Sequence, residues 1–364
     1  MGLRPRDERG ERDVLILGDE ADTAEQDLWF LPGPDSEDED APPGAPPLPY
    51  ASKTHLFDLN IWRQAQGGLS GELARLTQIF GELDARLREG PEGLRHRLAL
   101  REITDLSWWI GDRLAQDRLG LWVALRIGST AETEQALGQA GWAFRRLTGG
   151  PPAAQNLAAF LERPAAETKG SQVGADAGAI GDLADLLLQG ETLHPVTQAA
   201  VLFHAWRMIG APHSRDMESA ILAARHGASM SRRPGQGALF LPLSATGPAA
   251  FRGAGDPARK LAAWIAGAEQ ATLGALLQLE GLAVWKNATL AAVGDLSGRT
   301  PAQLIEVFNT WPMVAAPLAE AETGASRATV QRNLDLLAER GLIREITGQG
   351  RYRVWTAMVA VVQT

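Results

Sequence analysis

Apolar residues recur every three or four positions over most of the chain that follows Thr54. Leu69, Leu73, Leu76 and Phe80 form one such stripe, and this spacing is typical of an amphipathic helix. Comparable stripes predict further helices, which include residues 195–209, 214–226 and 258–290, the last as one long helix or as two. The body of the protein is therefore expected to be helical.

Two segments lack such a stripe and are rich in small residues. Residues 165–181 consist largely of Gly, Ala and polar side chains, and residues 227–257 are rich in Gly and Pro. Both predict loops, because such compositions mark breaks between regular elements. Within the second segment, residues 238–243 suggest a strand or an extended piece. Seven tryptophans lie on helical stripes and are expected to anchor the core: Trp62, Trp108, Trp122, Trp142, Trp206, Trp264 and Trp285.

Near the C-terminus the pattern predicts two short helices joined by a tight turn. Residues 314–322 suit the first helix, and Gly324 supplies the turn, since Gly tolerates backbone angles that other residues resist. The hydroxyl of Ser326 is placed to cap the second helix. The apolar stripe of that helix consists of Val330, Leu334 and Leu337.

A two-stranded wing is predicted directly after this pair of helices. Gly341 stands where a helix-ending residue of left-handed conformation is expected. Residues 342–347 and 351–355 suit strands, and residues 348–350 form the turn between them. This order of elements predicts a winged helix-turn-helix, a fold that usually places its second helix in the DNA major groove.

The polar face of the second helix and the wing carry the candidate DNA contacts. Between Ser326 and Arg353 there are six arginines and three acidic residues, so this stretch is basic. Arg pairs with guanine edges and phosphates, and Gln and Asn pair with adenine edges. The expected base contacts are Arg327, Thr329, Gln331 and Arg332, with Asn333 beside them. The expected backbone contacts are Arg344, Arg351 and Arg353. A structural or dimerising role for the same module remains the alternative.

The net charge of −9 is concentrated at the N-terminus. Residues 1–50 contain fourteen acidic residues and four arginines, whereas the remaining 314 residues carry thirty acidic and thirty-one basic residues. An acidic run followed by a proline-rich run is expected to stay extended or disordered. We therefore predict three parts: an acidic segment over 1–53, a helical domain over 54–298, and a winged helix-turn-helix domain over 299–364.

Composition and missing motifs narrow the possible chemistry. The chain contains no cysteine, which excludes disulfides and thiolate chemistry. None of its six histidines lies in a spacing typical of metal ligands, so no bound metal is expected. The sequence contains no phosphate-binding glycine loop of the known types, so no nucleotide cofactor is expected either. No apolar run resembles a signal peptide or a membrane span. A cytoplasmic protein without membrane contact is expected.

The loop His194-Pro195-Val196-Thr197-Gln198 opens a predicted helix in the body, and the winged tail follows later in the chain. This order resembles the Fic/Doc family, in the branch with a C-terminal winged helix. In that family an HPFx[DE]GNGR loop opens a helix, and the resemblance implies a Fic-like helical bundle with His194 as the candidate general base for nucleotidyl transfer. His194 and Pro195 match the motif. Gln198 stands in place of the magnesium-binding acid, residues 199–201 replace the Gly-Asn-Gly cradle, and Leu202 replaces the phosphate-binding Arg. The resemblance therefore favours the fold and argues against the activity.

From about residue 54 onward the chain also resembles a group of bacterial proteins, often plasmid-borne, that pair a helical domain of unknown function with this kind of tail. The patterns predict a mainly α protein in which a helical bundle precedes a winged helix-turn-helix, and the resemblance to the Fic/Doc family implies that the bundle is Fic-like. The predicted function is a DNA-binding transcriptional regulator that acts on double-stranded DNA as a homodimer. The alternatives are a divergent or inactive Fic-like nucleotidyltransferase and an interaction module of a toxin–antitoxin-like pair with a protein partner.

Overall fold

The described part of the body contains eleven α-helices and a short 3-10 helix, Ala228–Met230. The computed structural model describes Thr54 and residues 57–125, 131–162, 171–209, 216–251, 255–348 and 352–359. The body helices are α1 (Leu59–Gly68), α2 (Ser70–Glu89), α3 (Gly93–Ile110), α4 (Gln116–Leu125), α5 (Ala131–Thr148), α6 (Leu157–Phe160), α7 (Ser171–Gln189), α8 (Pro195–Ile209), α9 (Asp216–Gly227), α10 (Gly247–Phe251) and α11 (Pro257–Ala292). This confirms the prediction of a mainly helical protein.

The C-terminal part adds three helices and a small sheet. In chain order its elements are α12 (Thr300–Thr310), β1 (Val314–Ala315), α13 (Ala316–Thr323), α14 (Arg327–Glu339), β2 (Ile343–Glu345) and β3 (Val354–Ala357). The strands form one antiparallel sheet in the order β1-β3-β2. Trp355 of β3 stands opposite Val314 on one side and opposite Glu345 on the other.

The long helix α11 connects the body to the C-terminal elements. Asp256 caps its N-terminus by accepting a hydrogen bond from the N–H of Ala258, and Pro257 occupies its first turn. At 1.5 Å per residue its 36 residues extend for about 54 Å. Segment 258–290 is thus one helix, of which Trp264 and Ile265 are buried in the body.

The buried apolar side chains of the described residues form two hydrophobic clusters, and the boundary between the clusters falls within α11. The first cluster contains residues from Leu59 to Leu279, and the second contains residues from Leu282 to Ala357. Both clusters lie within one compact unit, so a domain division at 298/299 stays a prediction. Val293, which follows α11 directly, belongs to the second cluster, so the end of this helix is part of the winged core.

Several local predictions differ from the structure. Residues 171–181, predicted as a loop, form the first part of α7, where burial of Ala179 and of Leu183 one turn later outweighs the helix-weakening effect of glycine. Residues 314–315, predicted as helix, form β1, because their backbone pairs with β3. Trp108, predicted as a core residue, is 58% exposed at the end of α3.

Within the ranges given above, no helix is both long enough and apolar enough to span a membrane. Over the same stretches of the chain, no group of three or more His, Asp or Glu side chains is arranged to hold a metal ion.

Candidate nucleic-acid interface

The turn between α13 and α14 is fixed by local hydrogen bonds. Gly324 ends α13 with φ +64°, and its N–H bonds to the carbonyl of Glu320 at 2.9 Å. Ser326 accepts a hydrogen bond from the N–H of Thr329 at 3.4 Å and so caps α14. A left-handed glycine and a serine cap are the features that predict this turn from the sequence.

One face of α14 is buried in the winged core. Val330, Leu334 and Leu337 are at most 1% exposed, and they belong to the cluster that includes Phe308 and Trp355. The side chain of Asn333 lies on the same buried face.

Asn333 is the one residue of α14 whose predicted place is wrong. It is buried, and its amide donates to the carbonyl of Thr329 at 2.8 Å. It lies one turn before Leu337 on the packed side of the helix, because a residue four positions earlier in a helix points in nearly the same direction. Asn333 therefore does not lie with the candidate DNA contacts.

The predicted base-contacting residues differ in their exposure. Arg327 and Arg332 are exposed, whereas Thr329 and Gln331 are half-buried. The hydroxyl of Thr329 lies 3.0 Å from that of Ser326, so it is part of the helix cap. The amide nitrogen of Gln331 donates to Asp335 at 3.1 Å. The two arginines therefore form the accessible positive charge of α14.

The predicted phosphate-contacting residues of the wing are engaged by carboxylates. Arg344 of β2 pairs with Asp117 of α4 at 2.7 Å, and its side chain is 48% exposed. Arg353 pairs with Asp335 at 3.0 Å, and its guanidinium lies over the ring of Trp355 at 4.8 Å from the centroid. Arg351 lies outside the described residues. No sequence pattern indicates Asp117, which lies 227 positions from its partner.

The turn that begins the wing is stabilised by Glu345. Its carboxylate accepts hydrogen bonds from the N–H of Thr347 at 2.9 Å, from the N–H of Gly348 at 3.0 Å, and from the Thr347 hydroxyl. Partial burial opposes ionisation, but these hydrogen bonds outweigh it and hold the pKa of Glu345 below its usual value. Glu345 is thus occupied within the wing.

The winged part is anchored to the body by a buried arginine. The guanidinium of Arg97, on α3, donates to the carbonyls of Phe308 and Trp311 at 2.7 and 2.8 Å, at the end of α12. Burial lowers the pKa of Arg97 to about 10. Gly93 lies beside Thr310 so closely that an added Cβ would stand 2.5 Å from its carbonyl oxygen. These contacts fix α12 against α3.

His194, the catalytic candidate of the Fic-like hypothesis, is held by hydrogen bonds at the start of α8. Its Nδ1 accepts from the N–H of Val196 at 3.2 Å, and its Nε2 lies 3.2 Å from the hydroxyl of Thr77. That hydroxyl donates to the carbonyl of Leu73, so Nε2 carries the ring proton and donates to Thr77. Burial lowers the pKa of His194. The ring borders a cleft of about 600 Å³ that Gln66 also lines.

Gln198, in the position of the family's metal-binding acid, closes the same loop. Its amide nitrogen donates to the carbonyls of Gly190 and Leu193 at 2.9 and 3.0 Å. Its amide oxygen lies 2.5 Å from Nε2 of His226, which serves as the donor. These bonds stabilise the loop, and they assign Gln198 a structural role.

Comparison with known protein families identifies the C-terminal part. Residues 301–358 match a family model described as an HTH DNA binding domain. The match begins within α12 and ends just after β3, so it covers both helices of the helix-turn-helix and the wing. It confirms the predicted helix-turn-helix and supports a DNA-binding protein. The chain matches no curated protein.

Proposed function

We propose that the protein is a transcriptional regulator that inserts α14 into the major groove of double-stranded DNA. The observation that carries the proposal is the division of α14 into two faces: Val330 and Leu334 are buried, whereas Arg327 and Arg332 are exposed. A helix anchored in this way can approach a duplex while its own packing stays intact.

The roles of the individual side chains follow from their accessibility. Arg327 and Arg332 can each reach a guanine edge or a phosphate, and Gln331 can reach a base edge beside them. Arg344 contacts DNA backbone if a phosphate takes the place of Asp117, and Arg351 is assigned the same role from its sequence position. Thr329 contributes less, since its hydroxyl is paired with Ser326.

A single module of this size buries little DNA surface, so we also propose that two copies bind together. A homodimer on two half-sites would double the contact area and raise the affinity accordingly. The half-sites are then expected about one helical turn apart, or a multiple of that distance.

The Fic-like transferase alternative gains no support from the loop around His194. A general base needs an available lone pair, but Nδ1 of His194 accepts from a backbone N–H and Nε2 donates to Thr77. Gln198 offers an amide in place of a carboxylate, and its polar atoms are already bonded. The helical body is accordingly proposed to support the DNA-binding part, and a protein partner for it stays a prediction.

The test is selection of binding sites from a library of random duplexes by the full chain. We expect enrichment of one motif with two related half-sites, and occurrence of that motif in promoters of the host. Recovery of random sequence after repeated rounds would contradict the proposal, because it would leave only charge-driven contact.

A further inference from the structure

Asp335 lies where α14 meets the wing and accepts two hydrogen bonds on one carboxylate oxygen. Its Oδ1 receives the amide N–H of Gln331 at 3.1 Å and an N–H of Arg353 at 3.0 Å. Gln331 lies one turn earlier on α14, and Arg353 directly precedes β3. One carboxylate therefore joins a candidate base-contacting side chain to the wing.

The position of Asp335 is fixed from the side of the wing. The guanidinium of Arg353 lies over the ring of Trp355, and this ring is buried in the winged core. The side chains of Asp335 and Arg353 remain 43% and 33% exposed. The group is therefore held in place and is still within reach of a ligand on the outer face of α14.

The hydrogen bond to Asp335 determines which way the Gln331 amide points. A carboxylate accepts hydrogen bonds and donates none, so the atom of Gln331 that faces it must be the nitrogen. One of the two N–H groups of Gln331 is thereby occupied. The side chain then offers one N–H and one carbonyl oxygen to a third group.

That remaining pair complements adenine and not guanine. The major-groove edge of adenine presents an acceptor, N7, and a donor, the N6 amino group. Guanine presents two acceptors, N7 and O6, for which a glutamine needs both of its N–H groups. A glutamine without Asp335 can turn its amide and serve either base.

We propose that Asp335 is a positioning residue that makes Gln331 select adenine over guanine in the major groove. This inference rests on the proposed DNA-binding function and deepens it. Arg353 then acts mainly by holding Asp335, in addition to any contact that its other N–H groups make with phosphate. This role explains an acidic side chain beside the exposed arginines of α14.

The experiment measures how each variant discriminates between bases on the duplex selected by the wild type. Every base pair of the half-site is changed in turn, and binding is compared for wild type, Gln331→Ala, Asp335→Ala and Glu339→Ala. Glu339 is the matched control, since it is an exposed acid one turn further along α14. Asp335→Leu is included because its side chain keeps the branched shape and the number of non-hydrogen atoms of aspartate but accepts no hydrogen bond.

We expect one adenine whose replacement by guanine weakens wild-type binding by roughly five- to a hundredfold. Gln331→Ala should abolish this preference, and both Asp335 variants should reduce it to about threefold or less at the same base pair. Glu339→Ala should retain it. Thermal unfolding of each variant near the wild-type temperature shows that the winged part is folded.

Three results would overturn the inference. Full adenine preference in folded Asp335→Ala and Asp335→Leu would mean that Gln331 needs no positioning. Loss of preference at a base pair that Gln331→Ala leaves unchanged would mean that Asp335 contacts a base itself. If the wild type selects no sequence, the proposed DNA-binding function itself fails, and this inference fails with it. Either of the other two results would overturn only the role of Asp335 and leave the proposed function intact.

Discussion

Glu102 is a body residue whose protonation is governed by burial. It is 3% exposed and accepts a hydrogen bond from the N–H of Leu243 at 2.6 Å. Burial raises its pKa to about 7, although hydrogen bonds from Leu243 and Ser244 act in the opposite direction. A carboxyl with a raised pKa in the folded state contributes stability that is fully present below its unfolded pKa, near 4.5, and is lost as pH rises through 7.

We therefore predict a pH-dependent difference between wild type and Glu102→Gln. The free energy of unfolding of the wild type relative to this variant should fall by on the order of 3 kcal/mol between pH 4.5 and pH 8. Urea unfolding of both proteins at several pH values measures this difference. Buried His204 and His226, whose pKa values burial lowers to about 3 and about 4, contribute a pH dependence of opposite sign, but they are present in both proteins and cancel in the comparison. A difference that does not change with pH would contradict the prediction, and Glu280→Gln, on the surface, serves as the control.

Individual residues show both what the sequence reveals about the site and what it does not. The exposed arginines of α14 follow from helical spacing, because the apolar stripe of a helix fixes which positions face outward. The same spacing places Asn333 with Leu337, which is the physical reason why its assignment to the DNA contacts was wrong. The bond between Gln331 and Asp335 also has a signal in the sequence, since the two residues form an i,i+4 pair. The pair of Arg344 with Asp117 has none, because it depends on tertiary packing.

Among the elements, the helix-turn-helix was the most predictable because its determinants are local. Gly324 and Ser326 specify the turn from within a few residues. β1 was not predictable in this way, since its two residues become a strand only through pairing with Val354 and Trp355, which come much later in the chain. The start of α7 differs from its prediction for a related reason: its glycines suggest a loop until burial against the core is taken into account.

At Gly324 the left-handed backbone conformation favours glycine, although there is room for a larger side chain. No atom lies within 4 Å of a Cβ added there, but φ is +64°. Gly324→Ala should lower the free energy of unfolding by about 1 kcal/mol through left-handed strain, and Gly324→Asn should lower it less.

Gly274 provides the matched comparison, since it also has no neighbour within 4 Å of an added Cβ but lies inside α11. Gly274→Ala should raise the free energy of unfolding by up to about 1 kcal/mol, because alanine favours helix. Denaturant unfolding of both variants provides the measurement. Shifts of the same sign would contradict the conformational argument.

In the molecule as a whole, the winged part is fastened to the body at several places. Arg97 reaches the end of α12, Arg344 of β2 pairs with Asp117 of α4 at 2.7 Å, and Gly93 of α3 lies against Thr310. None of these contacts could be predicted from the sequence, because they join segments far apart in the chain. They imply that the body sets the orientation in which α14 is presented to a duplex.

Arg327 and Arg332, the exposed arginines of α14, are proposed to bind DNA. The most direct measurement is fluorescence anisotropy on the selected duplex over a range of salt concentrations, with wild type, an Arg327→Ala/Arg332→Ala double variant, and an Arg232→Ala/Arg259→Ala double variant. The last pair removes the same charge from exposed positions of the body. We predict that the α14 double variant binds at least about tenfold more weakly, with a salt slope that is shallower by about one for each phosphate that these arginines neutralise. The body variant should stay within about twofold of wild type. Equal weakening of both variants, or wild-type affinity in the α14 variant, would contradict this prediction.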